Sequence, residues 1–287
     1  MKAVALKLLS MPWGWEALCL IILSLVLTLM TAMAPVEGLF LTILTPFPLL
    51  VLAVKYPWPY ALWLAGLEAG GVLSIGGFQA LILFSQYGLV PLVMAWAIRQ
   101  NYVITRTLIW SIGVPLLAGS TLFIFYSVFA NQAPHLLFTS HLEQVVEIFQ
   151  EEFQTLEQPQ GMDSKRFEVF IKTFSQFILT IFPALLVINH LLTNVLNYAL
   201  VRYYCNRSRP PIVLDPPDLA RWRISDYIVW IFLASGIALL LPVAPISVVG
   251  LNVFLVTLVI YFLQGLAIAG FGDGAYRFPL ACACCWR

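Results

Sequence analysis

The sequence predicts an all-α fold: a polytopic integral membrane helical bundle of about eight transmembrane helices plus an extracytoplasmic amphipathic helix. Three observations predict it. The chain of 287 residues is 61% hydrophobic and 10% charged, where a soluble domain is about half apolar and about a quarter charged. Its apolar residues gather into eight runs, which reach or approach the roughly 20 residues a helix needs to cross a hydrocarbon core of about 30 Å. The basic residues divide unequally between alternate loops. Numbering the loops in and out by turns puts Lys2, Lys7, Lys55, Arg99, Arg106, Arg202, Arg207, Arg209, Arg221, Arg223, Arg277 and Arg287 on one side, and only Lys165, Arg166 and Lys172 on the other. Cytoplasmic loops carry the excess of Lys and Arg, so both termini are expected in the cytoplasm.

Taken in order, the expected helices cover residues 15–34, 39–54, 60–75, 78–98, 108–130, 167–204, 227–241 and 248–269. Pro46 and Pro48 break the second, the third is short and glycine-rich, and Pro115 and Pro183 lie inside the fifth and sixth. A proline inside a helix removes a hydrogen bond and kinks the chain. Unpaired backbone groups cannot be left in lipid, so helices are the form these runs must take. Trp and Tyr cluster at the expected cytoplasmic ends, among them Trp13, Trp58, Trp96, Trp110, Tyr204 and Trp222, where amphipathic rings favour the interface. Nothing in the first run reads as a cleaved signal peptide.

Residues 1–269 read as a single transmembrane domain with two polar interruptions. In the extracytoplasmic segment 131–168, Leu142, Val145, Val146, Phe149, Phe153 and Leu156 recur at helical spacing, with Glu143, Glu147 and Glu151 on another face. Surface-binding helices are usually basic on the polar face; this acidic one is expected to pack on the protein's own outer mouth. The cytoplasmic loop 205–224 carries Arg207, Arg209 and several prolines. Its arginines serve as topogenic charge alone, or meet lipid headgroups or a soluble partner.

Composition excludes several classes of function. A net charge of +1 argues against nucleic acid, which demands concentrated Lys and Arg. There is no His-Glu-x-x-His motif, no Gly-x-Ser-x-Gly elbow and no Walker loop, so no enzyme and no cofactor is expected. Cys282, Cys284 and Cys285 crowd the end of the chain without the spacing of a zinc site, and no metal is expected.

Glu68 is the one carboxylate near the middle of an expected span. An intramembrane acid is a functional hypothesis that needs a partner. Gly66 and Gly70 form a small-xxx-small pair expected to pack closely on another helix, on the face nearly opposite Glu68. On the sixth helix His190, Asn194 and Asn197 share one face at similar depth. A ligand-binding site of Glu68, His190, Asn194 and Asn197 is therefore expected, with His190 as the partner of Glu68. The plainer alternative is that these polar groups only bond neighbouring helices, at about 0.6 kcal/mol each.

Several short stretches carry a resemblance. They are Thr45-Pro46-Phe47-Pro48-Leu49 before the glycine-rich helix, Phe182-Pro183-Ala184-Leu185-Leu186 leading to Asn197-Tyr198 and Arg202, Trp222-Arg223-Ile224, and Tyr261-Phe262-Leu263-Gln264-Gly265. In order and spacing over residues 15–268 they resemble the YybS-like family of predicted bacterial membrane proteins, a domain of unknown function. More distantly the chain is similar to the substrate-binding S components of energy-coupling factor vitamin transporters, an analogy of fold alone. The resemblance implies an integral membrane fold and supplies no catalytic residues. It ends after Ile268, and residues 270–287 read as an atypical, frameshifted or truncated tail. The expected function is a non-enzymatic membrane protein that binds a small molecule within its bundle, as a transporter-like subunit among other membrane or cytoplasmic subunits. The alternative is an envelope scaffold that recruits a soluble partner through the basic loop.

Overall fold

A computed structural model describes residues 14–33, 42–133, 136–137, 164–207 and 224–271. The described residues contain helices and no strand. The amphipathic stretch expected at 142–156, the loop residues 208–223 and the tail from 272 onward lie outside them. Among the described residues seven helices run in the order α1 (Gly14–Met33), α2 (Pro46–Lys55), α3 (Trp58–Arg99), α4 (Ile104–Phe129), α5 (Ser164–Arg207), α6 (Tyr227–Leu239) and α7 (Ala244–Phe271).

Among the described residues six segments are long and apolar enough to cross a membrane: Gly14–Met33, Trp58–Phe78, Ala80–Arg99, Ile104–Phe129, Lys172–Arg207 and Ala244–Ile268. The remaining two of the eight expected helices fall short. Pro46–Lys55 has 10 residues and Tyr227–Leu239 has 13, or about 15 and 20 Å of helix against a core of about 30 Å. Pro46 explains the first case. It occupies the first helical position, where its fixed φ and missing N–H cost nothing, and residues 43–45 before it form a turn. The apolar run continues back across that turn, whereas α2 begins at Pro46.

The sequence reading places residues 1–269 in one bundle; the chain divides into two compact units, Met1–Tyr102 with Arg106–Leu214, and Val103–Thr105 with Asp215–Arg287. In the second unit α6 and α7 pack as a pair. Phe232 stacks on Phe254 at 4.8 Å between ring centres. A Cβ on Gly250 would meet Ala238 Cβ at 2.8 Å and the Ser235 carbonyl oxygen at 3.1 Å. A small residue is needed there for the helices to come this close.

In the first unit α3 is 42 residues long. A straight helix of that length would hold its ends about 63 Å apart. Instead its ends touch. Arg99 Nη2 donates to the Tyr56 carbonyl at 2.5 Å, and its guanidinium lies 5.4 Å from the centre of the Trp58 ring. The chain reverses at Gly77, whose φ of 64° and ψ of −158° interrupt the helix. The two halves are therefore antiparallel, as the separate expected helices 60–75 and 78–98 require. α4 runs beside the second half: Phe78 stacks on Tyr126 and Trp96 meets Trp110 edge-on.

The centre of this unit is the short α2. Leu49, Leu50, Val51, Leu52 and Ala53 are all buried, and α2 packs on α1, α3 and α5. A helix apolar all round belongs in such an interior. The large apolar side chains of the longer helices remain exposed, as at Leu62, Trp63, Leu67, Leu117 and Phe129, the pattern of surfaces whose solvent is hydrocarbon.

Candidate functional site

α1 presents one polar stripe to the interior. Gly14, Ala17, Leu20, Ser24 and Thr28 are its buried positions, spaced as one helical face requires. Ser24 meets Glu68, which is 2% exposed. The Ser24 hydroxyl donates to Glu68 Oε1 at 2.5 Å. Thr28, one turn on, is buried and borders the same space as the carboxylate. Glu68 stands ten residues into α3, about 15 Å from Trp58 along the axis.

Glu68 opens onto a cavity of about 200 Å³. Thr28, Thr31, Thr42 and Thr45 supply its hydroxyls, and Phe84 and Tyr87 its aromatic wall. Thr31 and Thr45 hydroxyls lie 3.1 Å apart, joining α1 to the turn that begins α2. Because Pro46 starts α2 part-way through the unit, the first turn of that helix is left to line the cavity.

His190, Asn194 and Asn197 are fully buried on α5. His190 stacks on Tyr87, with ring centres 5.3 Å apart and planes 19° from parallel. Asn189 Nδ2 donates to the Tyr87 hydroxyl at 2.9 Å. The two α5 residues thus hold an aromatic wall of the cavity. Asn194 Nδ2 donates to the His190 carbonyl at 2.7 Å. Asn197 Nδ2 donates to the Thr193 carbonyl at 2.7 Å and, across to the turn before α2, to the Ile43 carbonyl at 2.6 Å. Their side-chain oxygens are buried without a protein partner.

At the end of the unit formed by Glu16, Lys55 and Tyr204 lies a charged cluster that sequence reasoning misses. Lys55 Nζ pairs with Glu16 Oε1 at 2.5 Å, with the lysine side chain 7% exposed and the glutamate 34%. Tyr204 donates to the same oxygen at 2.6 Å, and Lys55 Nζ sits 5.2 Å from the centre of the Tyr204 ring. Burial first, then the adjacent Glu16 carboxylate, pushes the Tyr56 phenol up to about 12.

The DUF2232 family, described as predicted membrane protein, matches residues 22–280. The chain belongs to that family. No curated protein and no solved structure matches it. The match continues past Ile268, where the sequence reading ends the resemblance, and takes in part of the tail set apart there as atypical.

Two expectations about this DUF2232 site are corrected. Glu68 is bonded by Ser24, and His190 is not among its partners. The histidine lies against Tyr87 instead, because α1, apolar enough to look featureless, carries the nearer donor. The spacing of Ser24 and Thr28 on one face was the available signal. The glycine pair Gly66 and Gly70 does not pack on another helix among the described residues: a Cβ at either would meet nothing within 4 Å. The close approach is next door at Gly71, where a Cβ would lie 3.1 Å from Leu29 Cδ2. Glu68 and Gly66 do lie on opposite faces, one buried and the other exposed.

Proposed function

We propose that this member of DUF2232 is a non-enzymatic protein of the bacterial inner membrane that binds a small molecule inside its first unit, as a transporter-like subunit akin to an S component. The observation that carries this reading is the cavity beside Glu68. A buried carboxylate in a membrane span is costly to keep, and here it borders space walled by aromatic, aliphatic and hydroxyl groups. A concave, mostly apolar site with a few polar groups is the usual form of a ligand pocket. His190 and Asn189 position Tyr87, while Asn197 braces the turn that starts α2. Native mass spectrometry of the full chain, released from detergent, should show a bound small molecule. Val72→Phe, which fills the cavity without touching Glu68's hydrogen bonds, should remove that mass. Bare protein throughout would count against the reading.

The proposal places both termini in the cytoplasm, on the strength of the basic asymmetry. Cys205 is fully buried and reports nothing about sidedness, whereas Tyr203 is 61% exposed. With a membrane-impermeant thiol reagent, Gln158→Cys should label in intact cells. Tyr203→Cys should label only after permeabilisation. The reverse pattern would invert the orientation.

A further inference from the structure

We infer that the cavity takes a small organic cation: a largely apolar molecule of about eight non-hydrogen atoms bearing one ammonium group, seated against Glu68. This rests on reading the cavity as a ligand site, and specifies what that site selects.

Charge is the first argument. Among the described residues the one group bonded to Glu68 is the Ser24 hydroxyl, with Thr28 lining the same cavity; no Lys, Arg or His among them pairs with it. An ionised carboxylate accepts about four hydrogen bonds, and Ser24 supplies one proton. A buried ion that lacks a counter-charge is strongly unfavourable, so the site is built for a positive charge that the protein itself does not provide. Ser24 holds the carboxylate on one side and leaves the cavity side for the ligand.

The walls are the second argument. Phe84 and Tyr87 line the same space as Glu68, and an ammonium group against a ring gains about 2 kcal/mol or more when desolvated. Tyr87 is fixed in place by His190 and Asn189, so this surface is preorganised. Leu49, Val72 and Pro91 complete it with apolar surface, which suits a hydrocarbon body.

Size and donor count are the third. A dry cavity of about 150 Å³ accepts benzene. By that measure about 200 Å³ accommodates about eight heavy atoms. A vitamin-sized molecule exceeds it, which separates this site from the vitamin carriers the fold analogy brings to mind. Divalent metals are poorly served. Among the described residues no group of three or more His, Cys, Asp or Glu comes together, and calcium takes about six to eight oxygen ligands.

The test uses the full chain in detergent micelles and three probes of matched size: benzylammonium, benzyl alcohol and benzoate. Binding is measured by calorimetry at neutral pH and constant ionic strength. Benzylammonium should bind more tightly than benzyl alcohol by at least about tenfold, as one desolvated cation–π contact alone implies, and benzoate should not bind. Glu68→Gln, which keeps an acceptor for Ser24, should abolish the preference. Equal binding of the alcohol, the result expected if Glu68 carries a proton, overturns the cation while leaving the cavity a ligand site. So does a preference that survives Glu68→Gln. Binding of none of the probes overturns both readings. The comparison on the unmodified chain decides the matter should Glu68→Gln fail to fold.

Discussion

Glu16→Ala should destabilise the purified protein by about 2–3 kcal/mol, one of the two largest effects expected of a single substitution in the first unit. Lys55 keeps only 7% of its side chain exposed. Removing Glu16 leaves that ammonium buried without its counter-ion and takes the acceptor from the Tyr204 hydroxyl. Breaking a buried pair from one side typically costs about 3–5 kcal/mol; the cost is smaller for this pair because water still reaches Glu16. Lys55→Met should be much milder, because it removes the charge and keeps the apolar stem that a lysine buries. The double variant Glu16→Ala with Lys55→Met should therefore cost less than the sum, by more than about 1 kcal/mol. Thermal unfolding in detergent, followed by loss of monodisperse protein, gives the comparison. Additive losses would show that the two charges do not stabilise each other.

The pair also shows which part of this protein its sequence makes legible. Length, apolarity and the period of 3.6 residues act along one dimension, and they are enough to find α1, α4, α5, α7 and both halves of α3. They are enough to bury Glu68 and turn Gly66 away from it. What they do not encode is which helix faces which. In lipid every apolar face is equally at home, so neighbours are chosen by shape and by polar contacts, and those are properties of two surfaces together. Hence Glu68 meets Ser24 of α1, not His190 of α5. Gly66 and Gly70 make a surface that permits close approach, and the fold uses Gly71 instead. The end of α2 is a different case. Hydropathy carries the second run back to residue 39, but Pro46 with Pro48 after it marks where regular helix begins, and proline chemistry outranks hydropathy at that boundary. The cluster of Glu16, Lys55 and Tyr204 escapes because Lys55 and Tyr204 lie 39 and 188 residues from Glu16 in the chain and each looks like an ordinary interface residue by itself.

Gly77→Val should prevent the first unit from closing, at a cost of about 3 kcal/mol or more. The backbone at Gly77 has φ 64° and ψ −158°, a region open essentially to glycine alone, and valine, branched at Cβ, is the residue least able to enter it. The consequence reaches beyond the turn. The reversal there is what carries Arg99 back to the Tyr56 carbonyl and the Trp58 ring, and what sets Phe84 and Tyr87 opposite Glu68 around the cavity. A chain that cannot reverse loses the latch and the site together. The matching control is Gly70→Ala, on the same helix but with open space around the new Cβ. There alanine relieves the cost of glycine in a helix, about 0.5–1 kcal/mol, and stability should hold or rise. The measurement is the yield of monodisperse protein together with its melting temperature. If Gly77→Val melts like the parent chain, the helix does not turn at that residue, and the antiparallel pairing of its halves must be made some other way.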